Sequence, residues 1–510
     1  MRKLAISLIL LGVIAIAGWA CGLALPTLSW PFQLHVAFGY ICSIVVLVIG
    51  IGLLCKRQKH FNFKPMTVRR LQRFKSIRRG YVAFILLIAM ILLAALDQLV
   101  VGKRALVVYY DGQLSFPALM QNPLMGEQFG LTGDAAVSEP NYRKLKKDFA
   151  REDQGNWLLM PLIPYDSSND SIPAVSESLE LRDGVYFSKR TGLPYSGLAA
   201  SLYDVEEPTS MHIRYRLREG IKQGVADGWD EQKERVYSAT YQQGNASQEN
   251  YSGAGELADF LNAEVTDLRI VHYNPAPPLP AEKLYLGTNS KGLDVIAYLY
   301  GGLQVNIKAA LLYIPCVYLI GVTVGLLMGY FGGTVDILVQ RLIEIFSNIP
   351  FLFVVLIMSS LLPDQLRGLG LILAILILFG WMGMTYLMRT AALKEKQRDY
   401  VAAARVLGAS TPRIIFRHIL PNSVAILVTL IPFSVSGIVL ALTSLDYLGF
   451  GLPSEYATWG QLLQDGLNNL SSPWIVSSAF TMLVLLLVLV TFVGEAIREA
   501  FDPKKFTTYR

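Results

Sequence analysis

Few residues in this 510-residue chain have the types and spacings that covalent chemistry needs. The polar stretch 102–283 holds two histidines, His212 and His272. A metal or acid–base pair would require the fold to bring them together, and the ordinary alternative is packing or surface exposure. Cys21, Cys42, Cys55 and Cys316 lie in or beside apolar stretches, none at metal-ligand spacing. The polar stretch has no cysteine and must fold without disulfides. It also has no phosphate-cradling glycine loop, no HExxH and no GxSxG. The residues that stand out are cations. Residues 398–422 carry Arg398, Arg405, Arg413, Arg417 and His418 around the small run Ala402-Ala403-Ala404. These cations are placed to meet acidic groups or lipid phosphates, and the alanines let another surface approach closely.

The elements holding those cations follow from local chemistry. Residues 391–407 are rich in Ala, Leu, Lys and Arg and favour helix. Gly408 suits the left-handed residue that ends it. Thr411 can cap a second helix with Pro412 at its first position, and Pro421 can break that helix before the next apolar run. The expected result is two short helices at a sharp angle. A basic helix pair lying on a membrane surface is the simpler reading of the same residues.

Composition places the loop in a membrane protein. Apolar residues make up 53% of the chain and charged residues 16%, against about 25% charged in soluble domains. Mean hydropathy is +0.41. A bilayer core needs about 20 apolar helical residues, and eight stretches qualify: 4–25, 36–54, 82–101, 309–329, 345–362, 369–387, 423–442 and 474–493. Backbone groups in lipid must bond within their own segment, so the spans are helices. The first also resembles a signal peptide, but Gly18-Trp19-Ala20-Cys21 is a poor cleavage site and a retained helix is expected.

Charge sets the orientation. Residues 56–79 carry ten Lys and Arg, 389–417 carry seven, and 446–473 carry none. The positive-inside rule puts the basic segments and both termini in the cytoplasm, and 102–305 and 446–473 outside. Block 102–283 has 26 acidic and 18 basic residues, while the rest of the chain is basic. The basic pI therefore describes no single surface and does not indicate nucleic-acid binding. The block's acidity can steer a basic partner. Short β-rich runs (105–110, 184–187, 211–217), helix-like pieces (139–151, 252–263) and polar turns give it a mixed α/β character. Residues 275–280, with four prolines, read as a stiff extended linker closing it.

Several segments resemble the permease subunits of binding-protein-dependent ABC importers. The run Ala402-Ala403-Ala404, Arg405, Gly408, then Arg413, Arg417, His418 and Pro421 looks like their EAA loop, with Ala402 where glutamate is usual and His418 where a hydrophobic residue is usual. Gly287-Thr288, Gly292 and Asp294 resemble the peptide-permease stretch Leu-Gly-Thr-Asp-x-x-Gly-Arg-Asp-Val, departing at Asn289 and Leu293. Gly332-Gly333 closes a Gly-Tyr-Phe-Gly-Gly turn, and Asp446, Gly449, Gly451, Asp502 and Pro503 lie in stretches like the microcin C-type (Yej-like) branch. The resemblance covers about 72–165 and 284–505; the first two spans and much of 167–280 look like additions.

The eight apolar stretches, the polar block and the resemblance together give an all-α polytopic membrane protein of about eight transmembrane helices, with an ABC importer permease core and an inserted mixed α/β extracytoplasmic domain. Its parts are two extra N-terminal helices (1–60), a basic segment (61–81), a span (82–101), the insert (102–283) and a permease core of five spans (284–505). The core contains the ATPase-coupling loop 390–421. The chain would sit in the bacterial inner membrane as the non-enzymatic pathway for peptides or peptide-like compounds, without cofactor or metal. ATP would bind to partner ATPase subunits. A second permease subunit, an extracytoplasmic substrate-binding protein and the lipid bilayer would complete the assembly, and nucleic acid has no part. Asp97, Lys308 and Glu344 sit near span ends, where interfacial snorkelling accounts for them. The alternatives are a membrane receptor or sensor with an outer ligand-binding domain, and an enzyme acting through 102–283.

Overall fold

The structure is a computed structural model, and it describes residues 2–22, 40, 43–48, 50–52, 65–120, 122–152, 154–205, 207–263, 265–361, 363 and 367–501. The helices are α1 (Arg2–Ala20), α2 (Pro65–Ser76), α3 (Arg78–Ala95), α4 (Tyr142–Glu152), α5 (Leu257–Leu261), α6 (Val295–Phe331), α7 (Gly333–Ser347), α8 (Phe351–Leu361), α9 (Leu369–Lys396), α10 (Asp399–Val406), α11 (Thr411–Tyr447), α12 (Trp459–Asn468) and α13 (Pro473–Phe501). Among the described residues five helices, α3, α6, α9, α11 and α13, are long and apolar enough to cross a bilayer. The expected count of eight is not reached there. Of the first two expected spans, α1 offers only the shorter apolar stretch Ala5–Ala20, and 36–54 lies partly outside the described residues. The expected span 345–362 is broken: α7 and α8 meet at a 64° bend. Pro350 explains it, since proline disfavours helical geometry in the residue before it and donates no N–H.

Helix α6 organises the bundle. Its 37 residues extend about 55 Å at 1.5 Å per residue. Asp294 caps its start, its side chain accepting a 2.7 Å bond from the Ala297 N–H. The α6–α9 contact is built on small residues. A Cβ on Gly321 would lie 2.8 Å from the Trp381 carbonyl oxygen, one on Gly325 2.5 Å from that of Thr385, and one on Gly329 2.6 Å from that of Arg389. Glycine every fourth residue lets two helix backbones come together in a bilayer.

Among the described residues twelve strands lie between Val107 and Tyr273. A three-stranded sheet, β2-β1-β3 (Gln113–Ser115, Val107–Tyr110, Trp157–Leu159), packs on α4 through Val108, Phe129, Leu145, Phe149 and Leu158. A nine-stranded antiparallel sheet is built from β4 (Ala174–Arg182), β5 (Val185–Ser188), β6 (Gly197–Leu202), β7 (Met211–Arg218), β8 (Ile221–Lys222), β9 (Gly224–Trp229), β10 (Arg235–Gln242), β11 (Asn245–Tyr251) and β12 (Arg269–Tyr273), in the order β11-β10-β9-β7-β6-β12-β4-β5 with β8 paired to β7. In β7 (Met211–Arg218) Ile213, Tyr215 and Leu217 are buried and Arg216 and Arg218 exposed, the alternation of a one-sided strand. Residues 275–280 are not a free linker. Ala276 and Leu279 are buried with Ala297 and Tyr300 of α6, so the chain is packed where a spacer was expected.

Candidate functional sites at the two ends of α6

At its first end, α6 meets the loop 287–294. Asn289 folds the loop by accepting from the N–H groups of Lys291 (3.0 Å) and Leu293 (2.9 Å) through Oδ1. The β-rich block is fastened to the same loop. The Ile172 N–H donates to the Gly292 carbonyl (2.9 Å), and the Thr288 hydroxyl donates to Asn274 Oδ1 (2.8 Å) while accepting from the Ala276 N–H (2.7 Å). Nearby, the Arg143 guanidinium grips Asp170 with both arms, at 2.5 and 2.8 Å. Burial pushes the Asp294 carboxyl up to about 7, against the lowering effect of the backbone N–H groups it caps.

The loop also joins α12 and α13. Trp474 Nε1 donates to the Thr288 carbonyl (3.1 Å), and the Ser290 N–H donates to Asp465 (3.0 Å). Asp446, at the end of α11, accepts from the Leu452 N–H (2.7 Å) and so folds the turn holding Gly449 and Gly451. Asn289, Lys291, Asp446 and Asp465 border a cleft of about 380 Å³. Of the expected site residues Asp446 and Gly449 line it, while Gly287, Thr288, Gly292 and Asp294 belong to the loop that contributes Asn289 and Lys291.

At its other end α6 packs on the loop 397–421. Tyr330, Met388 and Ala392 share a core with Val401, Ile414, Ile415 and Ile419. Helix α10 ends at Gly408, whose φ is +77°. The Gly408 N–H bonds the Arg405 carbonyl and the Ala409 N–H the Ala404 carbonyl, both at 3.0 Å. The local geometry departs from expectation in three ways. The helix expected over 391–407 breaks at Gln397–Arg398, between α9 and α10. Ser410 rather than Thr411 occupies the cap position, with no side-chain cap bond. Pro421 breaks nothing: a π-helical turn at Ile414–Ile419 lies within α11, and the helix runs on through it. In that wider turn Pro421 lies at the start of α-helical geometry, where its missing N–H costs little.

This arrangement sorts the candidate residues by exposure. Ala404 is buried, and His418 is half-buried. Ala402, Ala403, Arg405, Arg413, Arg417 and Pro421 are exposed. Val406 and Leu407 are 88% and 85% exposed, two apolar side chains standing out at the tip. Gly332 and Gly333 turn the chain from α6 into α7. Arg389 makes a two-armed pair with Asp336 (2.5 and 2.6 Å), tying α9 to α7 behind the loop. Glu344 pairs with Arg341 on the α7 surface. His212 is a packed core residue, with ring nitrogens 3.2 Å from the Ser201 hydroxyl and 3.0 Å from the Phe260 carbonyl. His272 lies on another strand beside Glu177. Asp502 and Pro503 lie outside the described residues.

A buried apolar seat under an exposed, basic, glycine-capped loop suits docking of a second protein. Residues 321–507 match the family model described as binding-protein-dependent transport system inner membrane component. The chain is 31% identical over 445 residues to the peptidoglycan transport system permease protein YejE of Agrobacterium fabrum, covering 87% of this chain and 94% of that one. The chain belongs to this permease family. It is 40% identical over 240 residues to the inner membrane ABC transporter permease protein YejE of Escherichia coli (47% of this chain, 70% of that one). It is 31% identical over 227 residues to the dipeptide transport system permease protein DppC of Bacillus subtilis (44% and 70%). The permease is accordingly a multi-pass inner-membrane protein, and the resemblance to the Yej-like branch holds. A match spanning 87% of this chain runs through 167–280, the stretch that looked like an addition. The receptor reading gains nothing from these relatives. Sequence reasoning missed the glycine row of α6; its four-residue spacing within an apolar run was the available signal.

Proposed function

We propose that this permease forms part of the membrane pathway of an ATP-driven importer for peptides or peptide-like compounds. The relatives named for peptidoglycan and dipeptide transport support that substrate class. Separate ATPase subunits, a second permease subunit and an external binding protein complete the machine, and no residue of this chain performs chemistry or holds a cofactor. The loop 390–421 and both termini face the cytoplasm, with 102–283 outside. ATP binding closes the ATPase pair, the loop passes that motion to α6 and α9, and the pathway alternates between outward and inward access.

The observation that carries this reading is the loop itself. Val406 and Leu407 project from it, Arg405, Arg413 and Arg417 are exposed around them, and Ala402 supplies no carboxylate. The chemistry suits an ATPase groove with an apolar floor and acidic walls. A pull-down of the tagged permease, with an ATPase assay of the eluate, is expected to recover an ATP-hydrolysing partner. Charge-assisted contacts contribute about 1.5–3 kcal/mol each, so the Arg413→Glu/Arg417→Glu double variant should retain at least about tenfold less of it. Elution of the wild-type permease alone would refute the reading.

A further inference from the structure

We propose that the open face of the sheet β2-β1-β3 is a membrane-contact surface that seats in the headgroup layer of the outer leaflet beside α3. The proposal rests on the placement of 102–283 outside and adds a lipid partner to it. The three strands carry no charged residue. One face of their sheet, with Val108 and Leu158, is covered by α4. The alternation of strand side chains puts Val107, Tyr109, Leu114, Trp157 and Leu159 on the other. The register lines these up across the strands: Leu114, Tyr109 and Trp157 form one row, Val107 and Leu159 the next. The rings of Tyr109 and Trp157 stack with centroids 6.0 Å apart. Leu114, Trp157 and Leu159 are 59%, 50% and 52% exposed. A contiguous apolar patch of this kind marks a contact with protein or membrane.

Three observations select lipid. The first is where the lobe joins the span. Just past the end of α3, the Gly102 N–H donates to the Ile163 carbonyl (3.1 Å) and the Ile163 N–H to the Val100 carbonyl (3.0 Å). Ile163 comes four residues after Leu159, so the open face begins no more than about 14 Å from those bonds. Leu92, Leu96 and Leu99 are exposed at the end of α3, and so is Leu162 beside Ile163, which continues the apolar surface of the span toward the sheet. The second is direction. Helix α4 lies on the opposite face and is tied to the bundle side: Arg143 grips Asp170, and Lys147 pairs with Glu282 (3.8 Å) in the segment leading to α6. The open face therefore looks away from the bundle. Exposed Lys144, Lys146, Arg151 and Glu152 gather the lobe's charge on α4, leaving one wet side and one apolar side, as an interfacial element needs. The third is side-chain type. Trp and Tyr concentrate at headgroup level, where an apolar ring body and a polar N–H or O–H are both satisfied.

The test uses the purified full-length permease in phosphatidylcholine nanodiscs, its four cysteines replaced by serine. A single spin label is placed at Trp157→Cys, at Leu159→Cys or, as a control on the large sheet, at Val225→Cys, where the native side chain is 58% exposed. Labels at 157 and 159 should be relaxed more by oxygen, which partitions into lipid, than by a water-soluble nickel complex, and the order should invert at 225. Adding Leu114→Asp and Leu159→Asp should shift the ratio at 157 to that seen at 225. The substituted side chains are all at least half exposed, and an unchanged unfolding midpoint shows that each variant folds. Nickel access at 157 and 159 equal to that at 225 overturns the proposal. So does screening of both labels from both relaxants, which would put a second copy or another protein on the face. An impermeant thiol reagent applied to Val225→Cys in spheroplasts should react without lysis. Reaction only after lysis overturns the proposal through the placement it rests on, whereas reaction in spheroplasts with nickel access at 157 and 159 overturns the lipid contact alone.

Discussion

Gly408→Val is expected to leave the permease inserted at wild-type levels and to cut transport by about tenfold or more. Gly408 has a φ of +77°, and a Cβ built there meets nothing within 4 Å. The penalty is therefore one of backbone conformation, not of space. Left-handed geometry costs an L-residue about 1–2 kcal/mol, and a β-branched side chain is worse placed than most. The helix end can relieve that strain only by abandoning the turn. Arg413 and Arg417 would then leave their positions relative to Val406 and Leu407. A shift of 1.4 kcal/mol away from the docking-competent shape is tenfold in population. Gly408→Asn is the control, because asparagine tolerates this geometry; it should transport near the wild-type rate. Uptake into vesicles, normalised to permease content, checks both. Full uptake by the valine variant would separate the loop from coupling.

The second large effect is on the fold. Gly325→Leu should yield no monodisperse permease in detergent, or lower its unfolding midpoint sharply. A Cβ at this position would lie 2.5 Å from the Thr385 carbonyl oxygen, 2.8 Å from Met388 Cβ and 3.0 Å from the Arg389 nitrogen. Two of the three obstacles are backbone, so no side-chain rotation relieves them, and α6 must move away from α9. Inserting extra carbons into a packed core costs about 1–3 kcal/mol even where neighbours can adjust. Gly325→Ala should give a graded, smaller loss. Gly437→Ala, where nothing lies within 4 Å, should leave the midpoint unchanged. Equal midpoints for Gly325→Leu and wild type would contradict the packing described for α6.

Much of this was legible in sequence because the signals were local. The apolar runs of α3, α6, α9, α11 and α13 are set by bilayer thickness, and a glycine after Ala-rich residues announces its own φ. What was not legible depends on contacts between distant segments. Nothing near residues 275–280 announces that Ala276 will be buried against α6 and bonded to Thr288. The π turn at Ile414–Ile419 lets the one helix α11 both seat Ile414 and Ile415 in the core under α10 and continue as a membrane span. Proline spacing alone suggested a break at Pro421 and none at Pro350, the reverse of what the packing selects. The cleft was hidden for the same reason: Asn289, Asp446 and Asp465 come from three separate stretches.

In the proposed importer the loop around Leu407 seats in an ATPase subunit. A photo-crosslinking amino acid placed at position 407 and irradiated in intact membranes reports that contact. The expected product is a single adduct whose partner, identified by mass spectrometry, is a nucleotide-hydrolysing subunit, with a yield that changes when ATP is added. No adduct, or an adduct with lipid or a protein of another class, would contradict it.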